Sequence, residues 1–360
     1  MTSLYFHKHG GTGKESCVED GREFLDLSVN VSPVFPPIGL LSLEDFALQT
    51  YPSIDGRGIK NYYREKFALD DSMVLSLNGA VEGIYLIPRA LGLRRVMVLS
   101  PSFYEYERAA RIVGAEIVFV PLDADKGFEL PGIEVLAHSL RNADAFFAAN
   151  PNNPTGTDLP PEIIMALASR FPEKWFIIDE AFIQFTPDFP DNSLMNKVIA
   201  LKNVIVAHSL TKFYALPGLR LGALIAHPEV IKQLLDYKEP WTVNAIAESV
   251  AVMLLECGAY EESLRAMIFS ERERISASLS MIEGLELAGG AANFFLAQWQ
   301  RGCSLDELLV YLEAQGIHVR DCRNFPGLEV NYFRFAVRTP FENNRFLDAM
   351  HEATKTLKLS

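Results

Sequence analysis

The chain reads as an α/β protein: a mainly parallel central sheet flanked by helices, followed by a smaller α+β C-terminal domain. Three observations carry that reading. Short apolar runs recur at Val96–Ser100, Glu116–Leu122, Ala145–Asn150, Trp175–Asp179, Val204–Ser209 and Gly222–Ala226. They are apolar on both faces, as strands buried in a parallel sheet are. Segments of helical period such as Phe103–Gly114 and Pro161–Phe171 lie between several of them, and strand–helix alternation implies right-handed crossovers. After about Tyr237 the pattern changes.

Taken in order, residues 1–35 show little periodicity and are expected to form an arm. Residues 36–240 hold the strand–helix alternation and form the large domain. Residues 241–360 form the small one. It opens with Thr242 to about Glu283, rich in Ala, Glu, Leu and Met, which reads as long helix. Strands are expected at Asn293–Trp299, Ile317–Asp321 and Tyr332–Val337, with Phe341–Leu357 as a closing helix. There is no internal repeat and no low-complexity segment.

A chain of 360 residues, 49% hydrophobic and 22% charged, is long enough for two domains. Its net charge of -13 argues against nucleic acid or an anionic membrane as partner. Local arginines can still hold an anionic substrate. Cys17, Cys257, Cys303 and Cys322 show neither Cys-x-x-Cys pairing nor metal-ligand spacing, so reduced thiols and no metal site are expected. Met1 to Gly11 lacks an apolar core of signal-peptide length, and no apolar run approaches a membrane span. A soluble, cytoplasmic protein is expected.

The chemistry concentrates in four segments. Ser209-Leu-Thr-Lys-Phe-Tyr-Ala-Leu-Pro-Gly-Leu-Arg-Leu-Gly222 places a lysine, Lys212, among two hydroxyls and a cation, Ser209, Thr211 and Arg220, at spacings suited to a phosphate. A lysine can condense with an aldehyde, and an aldehyde that carries a phosphate is pyridoxal 5′-phosphate. Ser76-Leu-Asn-Gly-Ala-Val-Glu-Gly83 is a glycine turn opening an apolar helix. It would point free N–H groups at a phosphate, or serve as an ordinary helix start capped by Asn78. Asn150-Pro-Asn-Asn-Pro-Thr-Gly156 is a rigid polar loop directly after a strand, at the edge where open α/β sheets bind ligands. Ile178-Asp-Glu-Ala-Phe182 ends another strand on a carboxylate. Such a carboxylate can pair with a protonated pyridine nitrogen and keep that ring an electron sink, or act as a cap or salt-bridge partner.

In this order the segments resemble those of fold-type I pyridoxal-phosphate enzymes of the aspartate aminotransferase superfamily, over essentially the full length. The resemblance implies roles by position. Lys212 would be the Schiff-base lysine and proton shuttle, and Asp179 the partner of the pyridine nitrogen. Asn153 would donate to the ring 3′-oxygen. Gly79, Ala80, Val81, Ser209, Thr211 and Arg220 would surround the cofactor phosphate, and Phe103 would stack on the ring. Tyr51, in Tyr51-Pro52, would reach the neighbouring subunit's phosphate, implying a homodimer with shared sites.

Two branches fit, and both take substrates with an amine and a phosphate: histidinol-phosphate aminotransferases and L-threonine-O-3-phosphate decarboxylases of cobalamin synthesis. The arm His9-Gly-Gly11 with Leu27-Ser-Val-Asn-Val-Ser-Pro33, the lysine segment, Pro240-Trp-Thr-Val-Asn-Ala245, and Arg320-Asp-Cys-Arg-Asn-Phe-Pro-Gly-Leu328 followed by Tyr332-Phe-Arg-Phe-Ala-Val-Arg338 resemble the decarboxylases. The aminotransferases usually carry a glycine where this chain has Arg338. They also place a tyrosine three residues after the aspartate, and here that residue is Phe182, which cannot donate. Core packing is the alternative reading of that phenylalanine. Arg334 resembles the superfamily's carboxylate-binding arginine. Substrate phosphate is expected on some of His9, Arg320 and Arg338, and Arg323 is expected to be solvated. Threonine phosphate and serine phosphate differ by one methyl, and the residues leave that choice open. A pyridoxal-phosphate-bound regulator is a third possibility, but the chain has neither the extra length nor the basic patch of a DNA-binding module.

Overall fold

In the computed structural model, residues 10, 11, 24–289, 292–328 and 330–357 are described below. The chain begins with β1 (Leu25–Asp26), α1 (Arg57–Phe67), β2 (Val74–Asn78), α2 (Ala80–Ala90), β3 (Arg95–Ser100) and α3 (Tyr104–Ile112). It continues with β4 (Glu116–Pro121), α4 (Ile133–Leu140), β5 (Ala145–Ala149), α5 (Pro161–Arg170), β6 (Trp175–Asp179), β7 (Val204–Ser209), β8 (Leu221–Ala226) and α6 (Pro228–Leu235). Then follow α7 (Ala245–Met253), α8 (Gly258–Leu279), β9 (Leu285–Ala288), β10 (Phe294–Trp299), α9 (Leu305–Ala314), β11 (Ile317–His318), β12 (Arg320–Asp321), β13 (Tyr332–Ala336) and α10 (Pro340–Thr356).

Seven strands form the central sheet in the order β2-β8-β7-β6-β5-β3-β4. Strands β3 to β7 pair in parallel, and β8 runs antiparallel to both β7 and β2. The middle strands are buried on both faces, as their apolar runs require. Every residue of β5, β7 and β8 is buried. Phe146, Phe147 and Phe176 are fully buried between the helical layers, each contributing roughly 1.5–3 kcal/mol over an exposed ring.

The direction of β8 has a consequence for the site. Its first residue follows Arg220, so an antiparallel β8 delivers Arg220 to the edge where the parallel strands end. Asn78, Ser100, Ala149, Asp179 and Ser209 all close their strands at that edge. Gly222 makes the approach possible, because a Cβ there would lie 2.4 Å from the Ala80 nitrogen.

The second sheet is antiparallel, in the order β12-β13-β10-β9. Arg320 on β12 lies opposite Arg334 on β13. The segment expected as one strand, Ile317–Asp321, is two. Its first half pairs in parallel with β1 and its second half with β13, so the chain changes sheets at Val319. The long helix expected from Thr242 is also two, α7 and α8, separated by a 3₁₀ turn at Leu254–Glu256 and by Cys257. Leu254 and Cys257 are both buried at the break, so packing, not composition, places it. The described end of the arm is tied down by β1, by Ser32 N–H to the Lys212 carbonyl at 2.8 Å, and by Ala336 N–H to the Leu27 carbonyl at 2.8 Å.

Candidate active site

A cavity of about 610 Å³ opens at the carboxyl edge of the central sheet, facing the small sheet. Ala80, Val81, Phe103, Asn153, Asp179, Ser209, Thr211, Lys212, Arg220, Arg320 and Arg334 line it. They come from several separate turns and strand ends, and the sheet order brings these together.

Lys212 follows β7 and is half-buried, its amine turned into the cavity. Burial first, then the nearby charges of Arg220 and Arg334, push its ammonium pKa down to about 8, while Asp179 pulls it up. An amine that sheds its proton near neutral pH is a competent nucleophile. Asp179 ends β6. Burial pushes its carboxyl up, and the Tyr106 hydroxyl, the Ala181 N–H and the Lys212 charge pull it back. Tyr106 Oη donates to Asp179 Oδ2 at 2.8 Å, and Ala181 N–H donates to Oδ1 at 3.0 Å.

At the other end of the cavity, α2 begins at Ala80 with Gly79 as its N-cap and no side-chain cap. The free N–H groups of this first turn face an anion-friendly dipole. Gly79 has φ +78, and a Cβ there would lie 2.5 Å from Arg220 Nη2. A side chain there would be strained at this φ and would displace that guanidinium. Ser209 Oγ and Thr211 Oγ1 lie 2.8 Å apart at the same end.

Toward the small sheet, the Arg334 guanidinium is held by Asn153 Oδ1 and by the Ser28 carbonyl at 2.9 Å. With its oxygen engaged by Arg334, the Asn153 amide nitrogen is left to donate. Arg334 Nε and both polar atoms of the Asn30 side chain are buried without a partner. Arg320 Nη2 donates to Asn324 Oδ1 at 2.9 Å. Burial lowers the pKa of Arg334 to about 10 and also lowers that of Arg320. Two guanidiniums directly opposite on neighbouring strands repel, and an anion between them removes that cost. Phe182 lies in the wall, edge-on to Phe294 with ring centroids 5.3 Å apart, and brings no hydroxyl.

The residues fit pyridoxal phosphate. The lowered lysine faces a buried carboxylate, the phosphate end has a bare helix start with two hydroxyls and Arg220, and Phe103 supplies an aromatic wall. The unpartnered Asn30 and Arg334 atoms also call for a polar ligand.

Other expected residues lie elsewhere. Arg338 does not line the cavity; its Nε and Nη2 are taken by Glu342 Oε1 at 3.1 and 2.9 Å. Glu342, in the first turn of α10, is its ion-pair partner. Arg323, expected to be solvated, is partly exposed and pairs at the surface with Asp321 and Asp306. Tyr51 is 82% exposed and stacks near Trp241 with centroids 5.1 Å apart, outside this cavity. His9 lies outside the described residues.

Several residues escape sequence reasoning. Ser28, Val29 and Asn30 form one wall, although the arm has no periodic signal. Tyr106 sits three residues after Phe103, a helical spacing that puts both on one face. That spacing was available as a signal. Tyr85, Glu105 and Arg108 also line the cavity, with Arg108 Nη1 donating to Tyr85 Oη at 2.9 Å.

Comparisons with known proteins agree with the geometry. Residues 50–350 match the family described as aminotransferase class I and II. A threonine-phosphate decarboxylase of Salmonella typhimurium is 31% identical, covering 97% of each chain. The adenosylcobalamin biosynthesis bifunctional protein CobDQ of Leptospira interrogans is 32% identical over 95% of this chain, which spans 40% of that longer protein. Among solved structures, the histidinol-phosphate aminotransferase of Clostridium acetobutylicum aligns with a TM-score of 0.86 at 29% identity, covering 92% of this chain and 99% of the other.

Proposed function

The chain belongs to the aminotransferase class I and II family, and from that premise we propose that it is a pyridoxal-phosphate-dependent carboxy-lyase. It converts L-threonine O-3-phosphate to (R)-1-aminopropan-2-yl phosphate and CO2, which serves the nucleotide loop of cobalamin.

The observation that carries this reading is the Arg320–Arg334 pair, opposed on β12 and β13 within the cavity that holds Lys212. A substrate with an amine, a carboxylate on the same carbon and a phosphate on the next matches one lysine and two adjacent guanidiniums. Histidinol phosphate carries a single anionic group, while the 2-oxoglutarate it is transaminated with carries two, so Phe182 is the feature that separates the two readings. Phe182 supports the same side, because the hydroxyl that transaminases of this superfamily place there is missing.

When bound, the cofactor supplies an electron sink for the pair released from Cα. Asp179, held by Tyr106 and Ala181, would pair with its pyridine nitrogen. Phe103 would supply an aromatic wall, and Gly79, Ala80, Val81, Ser209, Thr211 and Arg220 would hold its phosphate. Asn153 would donate to its 3′-oxygen. Arg334 would hold the substrate carboxylate and Arg320 the substrate phosphate. Lys212 would carry the cofactor and move a proton to or from the substrate Cα.

The active unit is a homodimer with shared sites. Phe35, Leu40, Leu43, Leu48, Tyr51 and Ile54 are all more than half exposed, an apolar face that a second copy would cover. Tyr51 on that face would reach the partner's cofactor phosphate. Among the described residues no helix is long and apolar enough to cross a membrane, and Cys257, Cys303 and Cys322 are free thiols. The free thiols suit a reducing, cytoplasmic setting.

The second reading is histidinol-phosphate aminotransferase, favoured by the structural alignment to that enzyme. The fold serves both reactions, so product analysis separates them. Purified enzyme given threonine phosphate releases CO2 and forms aminopropanol phosphate. Comparable turnover of histidinol phosphate with 2-oxoglutarate would replace the decarboxylase reading.

A further inference from the structure

The opposed arginines define where the substrate's two anions sit, and one side chain stands where the carbon between them must pass. Arg334 is the inner of the two, held by Asn153 and close enough to Lys212 to act on its pKa. Arg320 is on the edge strand β12, one strand further out. A substrate anchored by its amine at Lys212 therefore gives its carboxylate to Arg334 and its phosphate to Arg320. The β-carbon lies just inside Arg320.

Phe325 borders that position, beside Arg320. Its ring lines the cavity and is 3% exposed. The Arg320 guanidinium carbon stands 5.3 Å from the ring centroid. The ring is fixed from two sides. Within its own loop, Phe325 N–H donates to the Cys322 carbonyl at 2.9 Å, and Leu328 N–H donates to the Phe325 carbonyl at 3.0 Å. From the large sheet, Ser100 Oγ donates to the Pro326 carbonyl at 3.0 Å. A Cβ at Gly327 would already meet the Pro101 ring at 3.6 Å. The ring is thus a rigid apolar wall beside the phosphate-holding arginine, and it belongs to neither the lysine nor the cofactor-phosphate machinery.

Resting on the reading of the site as a phosphoamino-acid decarboxylase, we infer that Phe325 is the residue that selects a branched β-carbon. The methyl of threonine phosphate packs on this ring, and the bare β-carbon of serine phosphate leaves a gap there. A preformed pocket distinguishes one methyl by about 10- to 200-fold, so the ring is sufficient for the choice without a second device. The apolar residues Val29 and Phe182 are the other walls able to meet a methyl.

The test is the ratio of kcat/KM for threonine phosphate over serine phosphate, measured on the holoenzyme and on Phe325→Ala and Phe325→Leu. The native enzyme favours threonine phosphate. Phe325→Ala lowers the ratio about tenfold, through loss on threonine phosphate, while Phe325→Leu keeps most of it. The visible absorption band of the cofactor reports whether each variant still binds it. Should Phe325→Ala not fold, Phe325→Val is judged by the same ratio. An unchanged ratio, an equal loss on both substrates, or a native enzyme that favours serine phosphate overturns the inference. Release of CO2 from neither substrate by native enzyme overturns the functional reading itself, which is a different result.

Discussion

The Tyr106 hydroxyl donates to Asp179 Oδ2 at 2.8 Å, and the Tyr106 ring lies nearly parallel to Phe147, 14° between planes at 5.5 Å. One side chain of α3 therefore orients the carboxylate on which the cofactor's electronics depend. A hydrogen bond to a charged group contributes roughly 1.5–3 kcal/mol. Tyr106→Phe keeps the stack and removes the bond, so the Asp179 carboxyl rises further. Cofactor affinity and kcat should both fall on the order of tenfold, read by titration of the absorption band and by CO2 release. A variant indistinguishable from native would mean that Ala181 N–H alone suffices.

Lys212 gives a pH prediction whose sign can be worked out. Burial and the neighbouring guanidiniums hold its pKa in the folded chain at about 8, below the ordinary lysine value of 10.5. The folded state therefore binds fewer protons than the unfolded one between those values, and the cofactor-free protein gains stability as pH rises through that window. Below about pH 8 the penalty of the buried ammonium is fully present. Melting of the cofactor-free protein at pH 7, 8 and 9.5 should show the rise, and Lys212→Met should lack it. The rate at which cofactor-free protein takes up pyridoxal phosphate should climb through about pH 8 as the amine sheds its proton.

The two arginines should be separable by ligand. The product has lost its carboxylate and kept its phosphate. Arg334→Ala should raise KM for threonine phosphate by ten- to a hundredfold while scarcely changing inhibition by aminopropanol phosphate. Arg320→Ala should weaken both, because charge-assisted pairs of this kind are the strong ones. Product inhibition weakened by Arg334→Ala but spared by Arg320→Ala would reverse the assignment, and equal losses would contradict it.

Sharing of sites between subunits is checked by mixing. Tyr51→Ala and Lys212→Ala each damage a site, but a mixed dimer places both defects in one site and leaves the other whole. Unfolding and refolding the two variants together should restore activity above the sum of the parts, toward a quarter of native. No restoration would mean that Tyr51 serves its own subunit or none.

Much of this fold was legible because strands buried on both faces are apolar runs, and because helices between them impose the parallel order. Strand β2 escaped notice: Val74-Leu-Ser-Leu-Asn78 is short and ends on a polar pair with Gly79. The reversed direction of β8 is likewise silent in its composition, yet it is what carries Arg220 to the site. The motif residues of the large sheet gather because they end parallel strands. Arg320 and Arg334 are different. Their pairing depends on the β12–β13 register, and their separation of fourteen positions in the chain carries no period that reveals it. Arg338 looked equivalent to them by charge, and only the position of Glu342 shows why it is spent elsewhere.

Everything proposed for this site depends on Lys212 carrying the cofactor opposite Asp179. The direct measurement is borohydride reduction of the holoenzyme, which fixes the cofactor to whichever lysine holds it, followed by peptide mapping. The adduct is predicted on the peptide containing Lys212, and Lys212→Ala should show neither adduct nor visible band. An adduct on another lysine, or a band retained by Lys212→Ala, would contradict the account.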